Sequence, residues 1–233
     1  MDPTDRVPPS TPATATRLAA RTPEDIAAFV PLALGFVPER SVVMVSIGAG
    51  ARGGLHARVD LPPDPDDVDD VVEALLRPAR RHDLREVVVV VYDDDTTVAD
   101  EAAWAVHEEF TAAGIRVREV LRVHDDHWYA VLPGAPLAAY RGVPFTLAEH
   151  RFTAQGVYDG RVTHASREAL RATIAPDGAA ARRVEAELGD ARPLPAGALQ
   201  ALTARHVGQG TTFSGAELAA VAVSVTSGDR RDE

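Results

Sequence analysis

The segment Glu86-Val87-Val88-Val89-Val90-Val91-Tyr92 limits the choice of fold more than any other in the chain. Five consecutive valines leave no polar face, so a strand made from them must be covered on both sides. Branching at Cβ favours the extended backbone, and the run has the length of a strand, not of a helix. Such a strand belongs at the centre of an α/β sheet with helices over each face.

The flanking segments support that reading. Thr22-Pro23-Glu24-Asp25 opens a helix: threonine caps, proline suits the first position, and two acids face the positive end of the dipole. Ile26, Phe29, Val30 and Ala33 follow at helical spacing, and Gly35 stops the run. Ser41–Ile47 reads as a buried strand. Leu55–Leu61 alternates, with His56, Arg58 and Asp60 on its polar side, and pairs with the first strand as a hairpin across the glycine-rich turn 48–54. Asp64 caps the clearest helix, whose stripe is Val68, Val71, Val72, Leu75, Leu76 and Ala79. A second amphipathic helix covers about 97–113. Ile115–Val123 and His127–Leu132 complete the strands.

The expected fold is therefore α/β: a mixed, mainly parallel five-stranded sheet with helices on both faces, followed by a helical C-terminal portion. Two strand–helix–strand crossovers supply three parallel strands, and the first and last strands add antiparallel edges. Residues 1–16, rich in Pro, Thr and Ala, read as a disordered tail. Residues 17–144 form the α/β core and 145–233 the helical portion, with the Pro- and Gly-rich stretch Leu132–Pro144 as the boundary or as a loop within one domain. Beyond it, helices fit Arg167–Ile174 capped by Ser166, Ala179–Leu188, Ala196–Val207, and Gly215–Thr226 with the capping box Ser214-Gly215-Ala216-Glu217.

Composition narrows the function. The chain has no cysteine, which excludes disulfides, thiolate metal sites and a cysteine nucleophile, and fits a cytoplasmic protein. It also has no lysine, hence no Walker or Schiff-base lysine. The formal charge of -11 argues against nucleic acid as a partner. No apolar run has the length of a membrane helix, so no membrane partner is expected. No serine sits in a G-x-S-x-G elbow, and Gly48-Ala49-Gly50 lies between hairpin strands, where no helix follows to seat a phosphate.

Two blocks resemble a known family. Val30-Pro31-Leu32-Ala33-Leu34-Gly35-Phe36-Val37-Pro38, Ser41-Val42-Val43 and Ala57-Arg58-Val59-Asp60-Leu61-Pro62 resemble the opening of the actinobacterial DUF4192 family. Gln155-Gly156-Val157-Tyr158-Asp159-Gly160-Arg161 with Ser166-Arg167-Glu168-Ala169-Leu170 is similar to its second block. The resemblance implies a bacterial cytoplasmic protein and supplies no activity. Many members carry a Cys- and Pro-containing segment where this chain has Leu132-Pro133-Gly134-Ala135-Pro136, so a metal role based on those cysteines does not transfer. Members often continue with further helices after an Arg-Asp pair such as Arg231-Asp232, which leaves open a chain cut short at that end.

In an open parallel sheet, ligands bind beyond the carboxyl ends of the strands. Those ends carry Asp60, then Asp93 and Asp94, then His124 and Asp126. Gathered on one rim, these groups would hold a divalent cation, whose bound water is a nucleophile. Plainer duties compete: the Asp93–Asp95 run caps the next helix, His124–His127 is a polar hairpin turn, and Asp60 lies on a solvated face. Lacking a complete catalytic signature, the chain reads first as a non-catalytic ligand-binding or regulatory interaction module. The alternative is a metal-dependent hydrolase or phosphotransfer enzyme using these five residues. The apolar helix at 215–226 also admits a homodimer.

Overall fold

The computed structural model describes residues 19–47, 54–195 and 197–226. The expected tail 1–16, most of the glycine-rich turn and the Arg231-Asp232 pair lie outside the described residues. The chain divides into two compact units, the first ending at Arg171 and the second starting at Ala172.

In the first unit, α1 (Pro23–Leu34) forms as its sequence dictates. Thr22 Oγ1 accepts from Asp25 N at 3.2 Å, and Gly35, at φ 79°, donates its N–H to Pro31 O at 2.8 Å. That left-handed terminus is where a Cβ would be strained. The hairpin strands β1 (Ser41–Ser46) and β2 (His56–Asp60) follow. A single 3-10 turn, capped by Asp64 through Asp66 N at 3.0 Å, leads into α2 (Val68–Arg81). Then come β3 (Glu86–Tyr92), α3 (Thr96–Ala112), β4 (Arg116–His124) and β5 (His127–Ala130). Next are α4 (Leu137–Arg141), β6 (Val143–Pro144) and α5 (Arg151–Tyr158); α6 (Arg167–Thr173) starts in this unit and its last two residues fall past Arg171.

The sheet corrects the sequence expectation. Among the described residues it is mixed and six-stranded, in the order β2-β1-β3-β4-β5-β6, and only β3 and β4 pair in parallel. β1 lies between β2 and β3, antiparallel to both, so the crossover through α2 passes over a strand that was expected at an edge. The cause is burial. Ser41 to Val45 are buried throughout, like β3, whereas every β2 residue keeps some exposure. A strand apolar on both faces gains most by sitting inside the sheet, and an alternating strand tolerates its rim. The sixth strand, β6, sits in the stretch read as a boundary. It is a two-residue rung in which Val143 faces Trp128 and Pro144 faces His127, at the sheet edge where a missing N–H costs little.

Alternate sheet residues enter two apolar clusters. Val42, Met44, Val87, Val89, Val91 and Val120 join α2 and α3, including Leu75, Val106 and Phe110. Val43, Val45, Val88, Val90, Leu121 and Val123 join Ala27 and Val30 of α1. Each fully buried side chain of this size contributes about 1.5–3 kcal/mol.

The second unit is built from α7 (Gly178–Leu188), α8 (Ala198–Gln209) and α9 (Gly215–Thr226). The expected capping box forms: Ser214 N donates to Glu217 Oε2 at 2.8 Å and Glu217 N to Ser214 Oγ at 3.2 Å. Glu217 also pairs with Arg205 and lies 3.3 Å from His206 Nε2, while His206 Nδ1 is 2.8 Å from Thr211 Oγ1. The bonds from Ser214 chiefly, and then His206, hold the Glu217 carboxyl down at about 2. Ser224 Oγ accepts from Leu194 N at 2.7 Å, tying the preceding loop to α9.

Candidate functional site

Because β3 and β4 run in parallel, their carboxyl ends emerge together, with Tyr92 opposite Val123. Beyond them lies a cavity of about 530 Å³. Ala27 and Pro31 of α1 wall it on one side, and Val37, Phe145 and Leu147 supply further apolar surface. Its polar lining includes Arg40, Asp93, Asp94, His124, Asp125 and Asp126. Four of the five residues expected from sequence are therefore brought together.

Asp60 is not. It ends β2 at the same end of the sheet, but β1 intervenes: Ser41 pairs with Asp60 on one side and with Tyr92 on the other. Two interstrand spacings, about 10 Å, separate it from β3. Arg58 binds its carboxylate at 2.6 Å and Arg167 at 3.0 Å.

The local geometry explains each remaining group. Asp95 caps α3, accepting from Thr97 N at 2.9 Å and Val98 N at 3.5 Å. Asp93 Oδ1 accepts from Asp95 N at 3.1 Å, so the run of three acids folds onto its own helix start. Asp93 is only 4% exposed, and its Oδ2 is buried without a partner. Burial pushes its carboxyl above the usual carboxylate range, against the pull of Arg40. Asp94, exposed beside it, is held below that range, chiefly by its interaction with the neighbouring Asp93 carboxyl. Tyr92 presents a second orphan, a buried hydroxyl without a partner, and burial raises its phenol. His124 and His127 face each other across a two-residue turn at Asp125 and Asp126, with His124 Nε2 3.4 Å from Asp125 Oδ2.

A resident cation needs several converging ligands. Among the described residues no three histidine, aspartate or glutamate side chains form such a group. The lining residues offer a carboxyl biased toward its neutral form, an exposed carboxylate, a guanidinium and an imidazole, and two of these residues, Tyr92 and Asp93, also carry a buried oxygen that lacks a partner.

Sequence reasoning passed over Tyr92 and Arg40. Tyr92 carries a legible signal: a lone hydroxyl closing an otherwise apolar strand. Arg40 carries none, and its φ of 40° emerges only from the fold. Also missed was the fastening of α1 to α5. The buried Asp25 carboxylate accepts from Arg151 Nη2 at 2.7 and 2.8 Å and from Arg151 Nε at 3.2 Å. His150 Nδ1 accepts from Phe152 N, which leaves Nε2 to carry its hydrogen toward Asp25 Oδ1 at 3.2 Å. Burial alone would raise the Asp25 carboxyl, yet Arg151, the Arg21 N–H and His150 together hold it below its ordinary value.

Fold and cavity together define an α/β protein with a mixed sheet and a cavity at the carboxyl ends of its parallel pair. The chain belongs to the DUF4192 family, a domain of unknown function, whose profile matches residues 23–233. No curated protein and no solved structure matches the chain. The two blocks that carried the resemblance meet in the fold: a Cβ on Gly156 of α5 would lie 2.5 Å from Leu32 Cδ2 of α1.

Proposed function

We propose that this chain is a non-catalytic ligand-binding module whose site is the cavity beyond β3 and β4. One observation carries the reading: Tyr92 Oη and Asp93 Oδ2, buried oxygens without partners, belong to residues lining a cavity of small-ligand size at the place where parallel strands end. The two apolar clusters support a layered scaffold, helices over each face, that would hold such a site rigidly. The cysteine-free composition and the family resemblance favour the bacterial cytoplasm as its location.

The test is a screen of aromatic fragments of every charge by protein-observed NMR on the whole chain. Hits should shift the amides of Asp93–Asp95 and His124–Asp126, and Val37→Trp should abolish those shifts while the protein stays folded. Hits confined to other surfaces, or none, would remove the proposal.

A second reading, hydrolase or phosphotransfer chemistry without a resident metal, is favoured by one feature. Asp93 and Asp94 are pushed in opposite directions, as in an acid beside a base. Release of nitrophenol from nitrophenyl phosphate or acetate in the presence of chelator should then depend on both residues. Turnover equal to that of the double Asn variant disposes of it.

A further inference from the structure

We infer that His150 is a proton-operated catch: on taking up a proton, its ring releases the start of α5 and loosens the Leu147 side of the cavity. The catch belongs to the fold; its use as a regulator rests on the binding-module reading above. Its logic lies in the two ring nitrogens. Nδ1 accepts from Phe152 N at 3.2 Å, so it carries no hydrogen, and the ring caps α5 in its neutral form. Nε2 then holds the one ring hydrogen and points it at Asp25 Oδ1, 3.2 Å away. An imidazolium donates from both nitrogens. The bond to Asp25 survives protonation, whereas two hydrogens, on Nδ1 and on Phe152 N, cannot occupy one bond. Protonation therefore moves the hold of the ring from α5 onto α1.

The charges around the ring set its two states against each other. The Asp25 carboxylate of α1, itself bound by Arg151 and the Arg21 N–H, attracts the imidazolium, and Glu149 and Asp126 line the same cleft as the ring. Against it stand the Arg151 guanidinium and the positive end of the α5 dipole, where a cation is disfavoured. Glu24 is engaged elsewhere, accepting from Trp128 Nε1 at 2.9 Å. With attraction and repulsion both in reach, histidine is the side chain that changes charge near neutral pH. Protons reach the ring, because its side chain is 15% exposed and lines an open cleft of about 320 Å³. Two bonds carry the change inward. Thr153 Oγ1, in the first turn of α5, donates to Leu147 O at 2.7 Å, and His150 N donates to the same carbonyl at 3.2 Å. Leu147 lines the cavity beyond β3 and β4, and Phe145 and Asp126 line both spaces. A first turn that loses its cap frays, and here that turn grips the cavity wall.

The experiment is a pH titration of the full chain by NMR, with no ligand added, following the His150 ring and the amides of Phe152 and Leu147. As the ring protonates, the Phe152 amide should move upfield and its protection against exchange should drop severalfold. The Leu147 amide should move with the same midpoint. His150→Asn keeps a capping side chain without a titrating one, and should abolish both steps. If that variant does not fold, the wild type still decides, since the ring and the two amides either share a midpoint or do not. A ring that stays neutral until the protein unfolds in acid overturns the inference. So does a Phe152 amide that ignores the ring, a Leu147 amide that does not follow Phe152, or a pair of steps that persists in His150→Asn. Because no ligand is present, a cavity that binds nothing removes the reading above and leaves the catch standing.

Discussion

The sheet unit and the helical unit are stabilised by different physics. In the first, side chains such as Met44, Leu75, Val89, Phe110 and Leu121 are fully withdrawn from water, and stability comes from non-directional burial. In the second, the buried residues among those described are Ala219, His206 and Ser224. Two of these three carry polar atoms, and both are hydrogen-bonded. The difference teaches where each half is vulnerable. The sheet unit should be sensitive above all to lost volume, with the pH response followed below coming from Asp25 and Asp93, whereas the helical unit should be sensitive to single caps and to acid.

The largest test of that contrast is Phe110→Ala, which should cost about 3–5 kcal/mol through the cavity it leaves. A urea titration that finds less than 1 kcal/mol would break the comparison at its base. Arg151→Ala comes next, at about 2–3 kcal/mol, because it leaves the Asp25 carboxylate buried with a weaker partner. Since Asp25 is depressed in the folded state, its contribution is present above the unfolded value and lost as pH falls through the folded one. The wild-type advantage over Arg151→Ala should therefore shrink in acid.

Ser214→Ala should cost about 1 kcal/mol. Hydrogen exchange should report that loss in α9 and leave β3 untouched; protection lost equally in both would erase the distinction between the units. Glu217 sharpens it further. Its carboxyl is depressed to about 2, so the stability it lends is complete above the ordinary glutamate range and disappears as pH falls toward 2. Amides of α9 should exchange faster over that interval in the wild type and show no such step in Glu217→Gln. The smallest effect has the opposite sign. Asp93→Asn should raise stability at neutral pH by about 1 kcal/mol or less, by removing a buried carboxylate one of whose oxygens lacks a partner. Because the Asp93 carboxyl is raised, its penalty appears as pH climbs through the folded value, so the gain should vanish in acid.

Local structure was legible wherever one residue decides it. Thr22, Asp64, Ser214 and Glu217 cap as their types require, and β3 spans the segment its valines mark out. Strand order was not, because it depends on competition between segments. Nothing in Ser41–Ile47 taken alone says which neighbour it will choose. Compared with the alternating Leu55–Leu61, however, its unbroken apolar run was the signal that β1 lies inside and β2 at the rim. The site was half legible for the same reason. The acids after β3 and β4 could be found from crossover logic, since adjacency of those two strands needs only α3 between them. Asp60 was grouped with them on the assumption that β2 touches β3. The partnering of Asp25 with Arg151 joins residues whose local contexts, the starts of two helices far apart in sequence, give no hint of each other.

That last ion pair has a temporal consequence. The two acids in the first turn of α1 find their partners far downstream: Glu24 accepts from Trp128 Nε1, 104 positions later, and Asp25 from Arg151, 126 positions later. During synthesis on the ribosome the first helix to emerge can therefore coil early, yet it cannot be fastened until most of the sheet has been translated. A stalled or prematurely released nascent chain would carry α1 unlocked, and with it an unfinished wall of the cavity.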